Sequence, residues 1–351
     1  MHRREALARL GQLGAAVALG APLRASQDGR AQLVAPQLDA HAHLISRDLA
    51  AWIRTSSTDA EMRRAIRPIN GRIVVDALEE DRIPRAIVLS TACLHAADSV
   101  RAGRRKKPAD ELRDLQNEND FAALQARDYA PSLIPFASVN PKRDYAVDEF
   151  ARCIETHRMR GLSVHFGESD VRLRDGQHLS RVQLLFAEAA GRNVPVIAHI
   201  HNRAVSDFGT ADAEILMGQL VEPFPALRLA IAHLGGPGGA AEDGTLRIFA
   251  ALINALRARP HLAPRVWADF SSVLLTEPRP GARPASKVQQ EALGRMLREW
   301  GLGRLMWGTD TLTDRNPTSL EQLRAVWPLS AADWGTVAAF DGSGFLPRSG
   351  T

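Results

Sequence analysis

Asp39-Ala-His41-Ala-His43 closes an apolar run that begins near Leu33, and the reading of these five residues decides the fold. In a β-strand alternate side chains share a face, so Asp39, His41 and His43 are expected to point the same way. Two imidazoles fixed side by side at the end of a strand chelate a borderline-soft divalent cation, zinc above all, without any loop having to order first. Other apolar runs downstream also end in ligand types: Ile197-Ala-His199, Ile231-Ala-His233 and Met306-Trp-Gly-Thr-Asp310. That recurrence predicts one metal site assembled from several strands.

Outward from this stretch, short apolar runs alternate with amphipathic ones. Strands are predicted near 34–40, 86–92, 133–139, 161–166, 195–200, 228–234, 265–270 and 304–309. Between them Leu179, Val182, Leu185, Phe186 and Ala189 recur at helical spacing after Asp175 and stop at Gly191, and Val288, Ala292, Leu293, Met296, Leu297 and Trp300 repeat the pattern up to Gly301. Strand and helix alternating eight times predicts an α/β fold of the (β/α)8 TIM-barrel type, a single domain over 33–348 with loop insertions. In such a barrel the active site lies at the carboxyl ends of the strands, where every candidate ligand falls. Residues 278–284 read as a long surface loop, and 101–110 as another.

The 351 residues are 45% hydrophobic and 24% charged, an ordinary globular balance with enough chain to bury a large core. Residues 1–25 are set apart. Arg3-Arg4 precedes an apolar stretch from Leu10 to Leu23 and small residues near Ala25, the layout of a twin-arginine signal peptide. A disordered or helical extension is the alternative. The stretch is shorter than the ~20 residues a span requires, so no stable membrane anchor is expected. Location is periplasmic or exported if the leader functions, cytoplasmic otherwise. Four arginines against Glu5 in the leader carry three of the four net positive charges. The remainder is nearly neutral, which argues against nucleic acid as a partner. Arg104-Arg105-Lys106-Lys107 reads as a solvated loop. Cys93 and Cys153 fall in different elements, so no disulfide framework is expected.

Taken in order, Asp39-Ala-His41-Ala-His43, Asn117-Glu-Asn119-Asp120, Ser138-Val-Asn140-Pro141, Gly161-Leu-Ser-Val-His165-Phe, Val196-Ile-Ala-His199, Ile231-Ala-His233-Leu-Gly-Gly and Trp307-Gly308-Thr309-Asp310 resemble the landmarks of the amidohydrolase superfamily, amidohydrolase-2 branch (aminocarboxymuconate-semialdehyde-decarboxylase-like). The resemblance runs from about Gln37 to Leu346. It implies that His41, His43, His199 and Asp310 bind one divalent metal, zinc first, with manganese, iron or cobalt as alternatives. His233 would sit beside it. Three imidazoles and a carboxylate leave an open position for water, whose pKa such a metal pulls from 15.7 to about 7. Asp310 then accepts the proton, and His233 polarises the substrate or shuttles protons. Where the family often carries a lysine on the fourth strand this chain has Ser163, which forms no bridging carbamate and disfavours a second metal.

Substrate-contact candidates are His165, His201, Arg203 and Trp307, with Asn202 beside them. Structural alternatives stand next to these roles: a hydrogen-bonded pair for His41 and His43, helix capping for Asp310 and an orienting role for Asp39. Two enzyme classes use such ligands on small-molecule substrates. A hydrolase cleaves an ester, lactone or amide with metal-activated water. The alternative, a non-oxidative decarboxylase of a carboxylated aromatic or enol-type acid, needs cationic grips, for which Arg47, Arg54 and Arg203 are candidates. Export favours hydrolysis. A catalytically inactive ligand-binding barrel is the third reading, and a homodimer through outer helices is a possible assembly.

Overall fold

The computed structural model describes residues 34–58, 60–97, 106–202, 208–237, 243–274, 285–310, 323 and 326–347. The proposed leader, Arg203, the glycines at 238–239 and the loop at 278–284 lie outside them. Eight strands, β1 (Asp39–Leu44), β2 (Ala86–Ser90), β3 (Leu133–Ser138), β4 (Gly161–His165), β5 (Val196–His199), β6 (Leu229–Ile231), β7 (Val266–Asp269) and β8 (Leu305–Met306), pair in parallel in chain order. Closure comes from the Ala40 N–H donating to the Trp307 carbonyl at 2.8 Å and the Asp310 N–H donating to the His41 carbonyl at 2.7 Å. With helices between the strands this is the expected (β/α)8 barrel.

Both faces of each strand are covered, which is why the runs read as continuous apolar stretches. Along β2, Ile87 and Leu89 turn into the barrel with Phe136, Ile197, Trp267 and Met306, while Ala86 and Val88 join the core beneath the helices. The helix Gly176–Gly191 starts on Asp175, whose carboxylate accepts from the N–H groups of Gln177 and His178, and buries Val182, Leu185, Phe186 and Ala189. Lys287–Trp300 buries Leu293, Leu297 and Trp300, but Val288 is 73% exposed. At about 100° per residue Val288 stands roughly 180° from Leu297, so it cannot share that face. Among the described residues no helix is long and apolar enough to cross a membrane.

β1 begins at Asp39 rather than near 34. Pro36 offers no N–H to a ladder, and the Gln37 N–H goes instead to the Ala338 carbonyl of the helix Ala331–Ala338. The strand also carries a bulge. Asp39 pairs with Ala86 and Ala42 with Val88, so β1 spends one residue more than β2 over the same length. Alternation resets there: Asp39 shares the face of Ala86, while His43 pairs with Leu89 on the inner face. The expectation that Asp39, His41 and His43 share one face is therefore corrected for Asp39. Its carboxylate accepts from the His41 and Thr309 N–H groups at 3.0 and 3.1 Å and from the Thr309 hydroxyl at 2.6 Å. Gly308 allows this seam, because a Cβ there would stand 2.5 Å from the His41 Cβ.

Glu118, from the helix Pro108–Asp128, pins the loop that follows β1. Its carboxylate accepts from the Ser46 N–H at 2.8 Å and from the Ser46 hydroxyl, and Ser46 in turn caps the helix Arg47–Ser56. Burial pushes the Glu118 carboxyl up to about 7 against those bonds. The folded chain thus holds this proton to higher pH than an unfolded one, with its ordinary value of 4.5. Stability from this group is complete below about 4.5 and declines as pH rises through 7, by roughly 3 kcal/mol at most. Urea unfolding at both ends of that window should show Glu118→Gln losing less stability than the parent. Parallel losses would contradict the assignment.

Candidate active site at the carboxyl ends of the strands

The strand ends bring His41, His43, His199, His233 and Asp310 together, all but His233 buried. The Nε2 atom of His41 lies 3.1 Å from that of His43 and 3.2 Å from that of His199. Oδ1 of Asp310 is 3.1 Å from His43 Nε2 and 3.6 Å from His41 Nε2. Ligands about 2.1 Å from a common cation stand roughly 3.0–3.4 Å apart, so the spacing fits a divalent ion. The charges fit as well. Burial lowers His43, and burial with the neighbouring imidazoles holds His199 well below its ordinary value, so both keep lone pairs. Burial alone would raise Asp310, yet His233, His43 and His41 hold it well below the usual carboxylate range. Asp269 is lowered too, with His41 overcoming its burial. Burial would lower His41, but the Asp269 and Asp310 carboxylates outweigh it and raise this ring. Two buried carboxylates that draw charge onto their neighbour are an environment that a dication offsets.

Asp269 and two serines after it were not anticipated. The run Val266-Trp-Ala-Asp269 ends in a carboxylate just as the other candidate runs end in ligand types, so the same signal would have found it. Oδ2 of Asp269 is 3.0 Å from His41 Nδ1. The Ser271 carbonyl lies 2.8 Å from His233 Nδ1, and a carbonyl only accepts, so the proton sits on Nδ1 and Nε2 carries the lone pair of neutral His233. That Nε2 is 4.0 Å from Asp310 Oδ2, which also accepts from the Ser272 hydroxyl at 2.5 Å. His233, Ser272 and Asp310 all have φ between 51 and 55°, costly for residues other than glycine, and such strain gathers at functional sites.

The remaining candidates divide. His165 pairs with His199 across β4 and β5 and stacks on it at 4.6 Å. Its Nδ1 accepts from the Glu168 N–H at 3.1 Å, which puts its proton on Nε2 and makes it a donor rather than an extra ligand. Ser163 lies on β4, opposite Ile197. His201 lies beyond the end of β5, half-buried and outside the two sets of residues whose ligand atoms converge, His41 with His43 and His199, and His41 with His233 and Asp269. Asn202 is turned to the backbone, donating to the Val171 carbonyl at 3.0 Å. Trp307 does not face the pocket: it is buried in the core outside the barrel, whereas its neighbour Met306 turns inward. Arg47 and Arg54 are exposed, and Arg54 donates to the Ile66 carbonyl at 3.2 Å. Of the basic run read as a solvated loop, Arg104 and Arg105 lie outside the described residues and Lys107 is exposed, and Lys106 alone departs from that reading. Its ammonium sits 2.5 Å from Asp114, 2.7 Å from His95 and 4.3 Å over the Trp52 ring, in the wall of a cavity of about 830 Å³. Cys93 and Cys153 are buried and unbridged, and burial pushes the Cys93 thiol up to about 12.

A parallel eight-stranded barrel with histidines from β1 and β5 and carboxylates at the ends of β7 and β8 defines a class of barrel enzyme. The amidohydrolase family profile matches residues 38–341, and the chain belongs to that family. Among solved structures it is similar to 5-carboxyvanillate decarboxylase from Sphingomonas paucimobilis, at 14% identity over 88% of this chain and 98% of that one, with a TM-score of 0.58. An amidohydrolase from Burkholderia multivorans with bound zinc is 20% identical over 89% of this chain and 100% of its own, also with a TM-score of 0.58. The 2,6-dihydroxybenzoate decarboxylase from Rhizobium gives 14% identity, 89% and 98% coverage and a TM-score of 0.58. At these identities the likeness is one of fold. No curated protein sequence matches the chain.

Proposed function

We propose that the protein is a hydrolase that cleaves an ester, lactone or amide bond of a small molecule, with His41, His43, His199 and Asp310 holding one divalent cation, zinc first. When bound, such a cation supplies Lewis acidity, polarising a carbonyl and acidifying water. Asp310 takes the proton of the attacking water on Oδ2, the oxygen steadied by the Ser272 hydroxyl. His233, with Nδ1–H anchored on the Ser271 carbonyl, receives and returns protons through Nε2, 4.0 Å away. His165 offers its Nε2–H to a polar group of the substrate.

The observation that carries this reading is the setting of Asp310. One oxygen stands among imidazole nitrogens and the other accepts from a hydroxyl, so the carboxylate is an acceptor on both sides. Hydrolysis begins by removing a proton from water, whereas decarboxylation ends by giving one to carbon. The test is a product assay on zinc-loaded protein with panels of esters, lactones, amides and carboxylated aromatics. Release of acid from the first three without carbon dioxide is expected. Carbon dioxide with a new C–H bond would make the protein a decarboxylase.

A further inference from the structure

We propose that Asp269 is a positioning residue that sets the tautomer of His41, so that Nε2 of that ring meets the cation as a bare lone pair; the cation itself rests on the reading above. A carboxylate has no proton to give at neutral pH, so the His41 nitrogen 3.0 Å from Oδ2 must be the N–H. In the neutral ring that leaves the lone pair on Nε2, the nitrogen nearest to both His43 and His199.

Asp269 can hold this arrangement because its other oxygen is fixed. Oδ1 accepts from the Ser271 N–H at 3.0 Å and from the Ser271 hydroxyl, and the His233 N–H lies 3.3 Å away. Three donors crowd one oxygen, which locks the carboxyl group against rotation and leaves Oδ2 for His41. His43 and His199 are different. Their Nδ1 atoms are buried and have no hydrogen-bond partner among the described residues. Of the three converging rings, His41 alone has its Nδ1 held by a partner among those residues.

Asp269→Asn separates this role from packing, because the side chain keeps its shape. The amide oxygen must replace Oδ1, where the donors are. The NH2 group then faces His41 Nδ1 and makes it an acceptor. The ring proton moves to Nε2 and points at the place the cation would take.

Nitrogen-15 NMR of the histidine rings, on metal-free protein in alkaline buffer, reads the tautomer directly, and competition with a chromophoric chelator reads zinc affinity. In the parent His41 should carry its proton on Nδ1, and in Asp269→Asn on Nε2, with zinc held roughly 10–100-fold more weakly. The parent spectrum tests the assignment even if the variant fails to fold. A parent His41 bare at Nδ1, or protonated at both nitrogens, would overturn the proposal, as would a folded variant that binds zinc like the parent. Nδ1–H in a parent that binds no zinc would support the His41–Asp269 assignment and overturn the cation site it serves.

Discussion

Replacing His41 and His43 together by alanine is expected to take bound metal from about one equivalent per chain to near zero and to abolish turnover. The pair supplies two of the three imidazole nitrogens that converge within 3.2 Å of a neighbour, and both come from one strand, so no single loop movement replaces them. The variant carries a second cost. Asp269 is fully buried and His41 is the imidazole partner of its Oδ2, so its loss leaves a carboxylate without its counter-group. Breaking a buried pair from one side costs about 3–5 kcal/mol. His43→Ala keeps the His41–Asp269 contact and should lose metal with a smaller fall in stability. Thermal melts with and without zinc distinguish the two effects, since a cation that binds only the folded state raises the midpoint by mass action. A double variant whose midpoint still rises with zinc, and which retains metal through dialysis, would sink the site.

The comparison of those two histidines with Asp39 shows how far the chain could be read without its structure. Period-two alternation was enough to put His41 and His43 on one face, because both lie after the bulge. Asp39 lies before it, and nothing within β1 announces the extra residue: the bulge is visible only in the pairing with β2 and in the approach of Gly308 across the seam. Trp307 was misplaced for a related reason. β8 spans only Leu305–Met306, and its parity follows from neighbours that sequence does not supply. Strand ends are legible as a class, which is why His199, His233 and Asp310 could be expected to come together and why Asp269 was within reach. The tautomers were not legible at all. They depend on the Ser271 carbonyl and on Asp269 Oδ2, groups 38 and 228 residues away from the imidazoles they face.

Asp310→Asn is the sharper test of the chemistry, because it removes a proton acceptor while disturbing little else. Asparagine tolerates the left-handed backbone at this position, where φ is 51°, far better than a β-branched or bulky residue would. The Asp310 N–H still donates to the His41 carbonyl, so the barrel seam survives. An amide oxygen can also remain beside His43 Nε2 and keep much of the metal affinity. What the amide cannot do is take a proton from water or pass one to His233. If Asp310 is the acceptor, kcat should fall roughly 10²–10⁴-fold while KM stays close to the parent value. Metal content, measured on the same sample, separates this loss from simple loss of the ion. Full turnover in metal-loaded Asp310→Asn would leave His233 as the acceptor and reduce Asp310 to a ligand. A matching loss in His233→Asn, with no further loss when the two changes are combined, would show the pair acting as one relay.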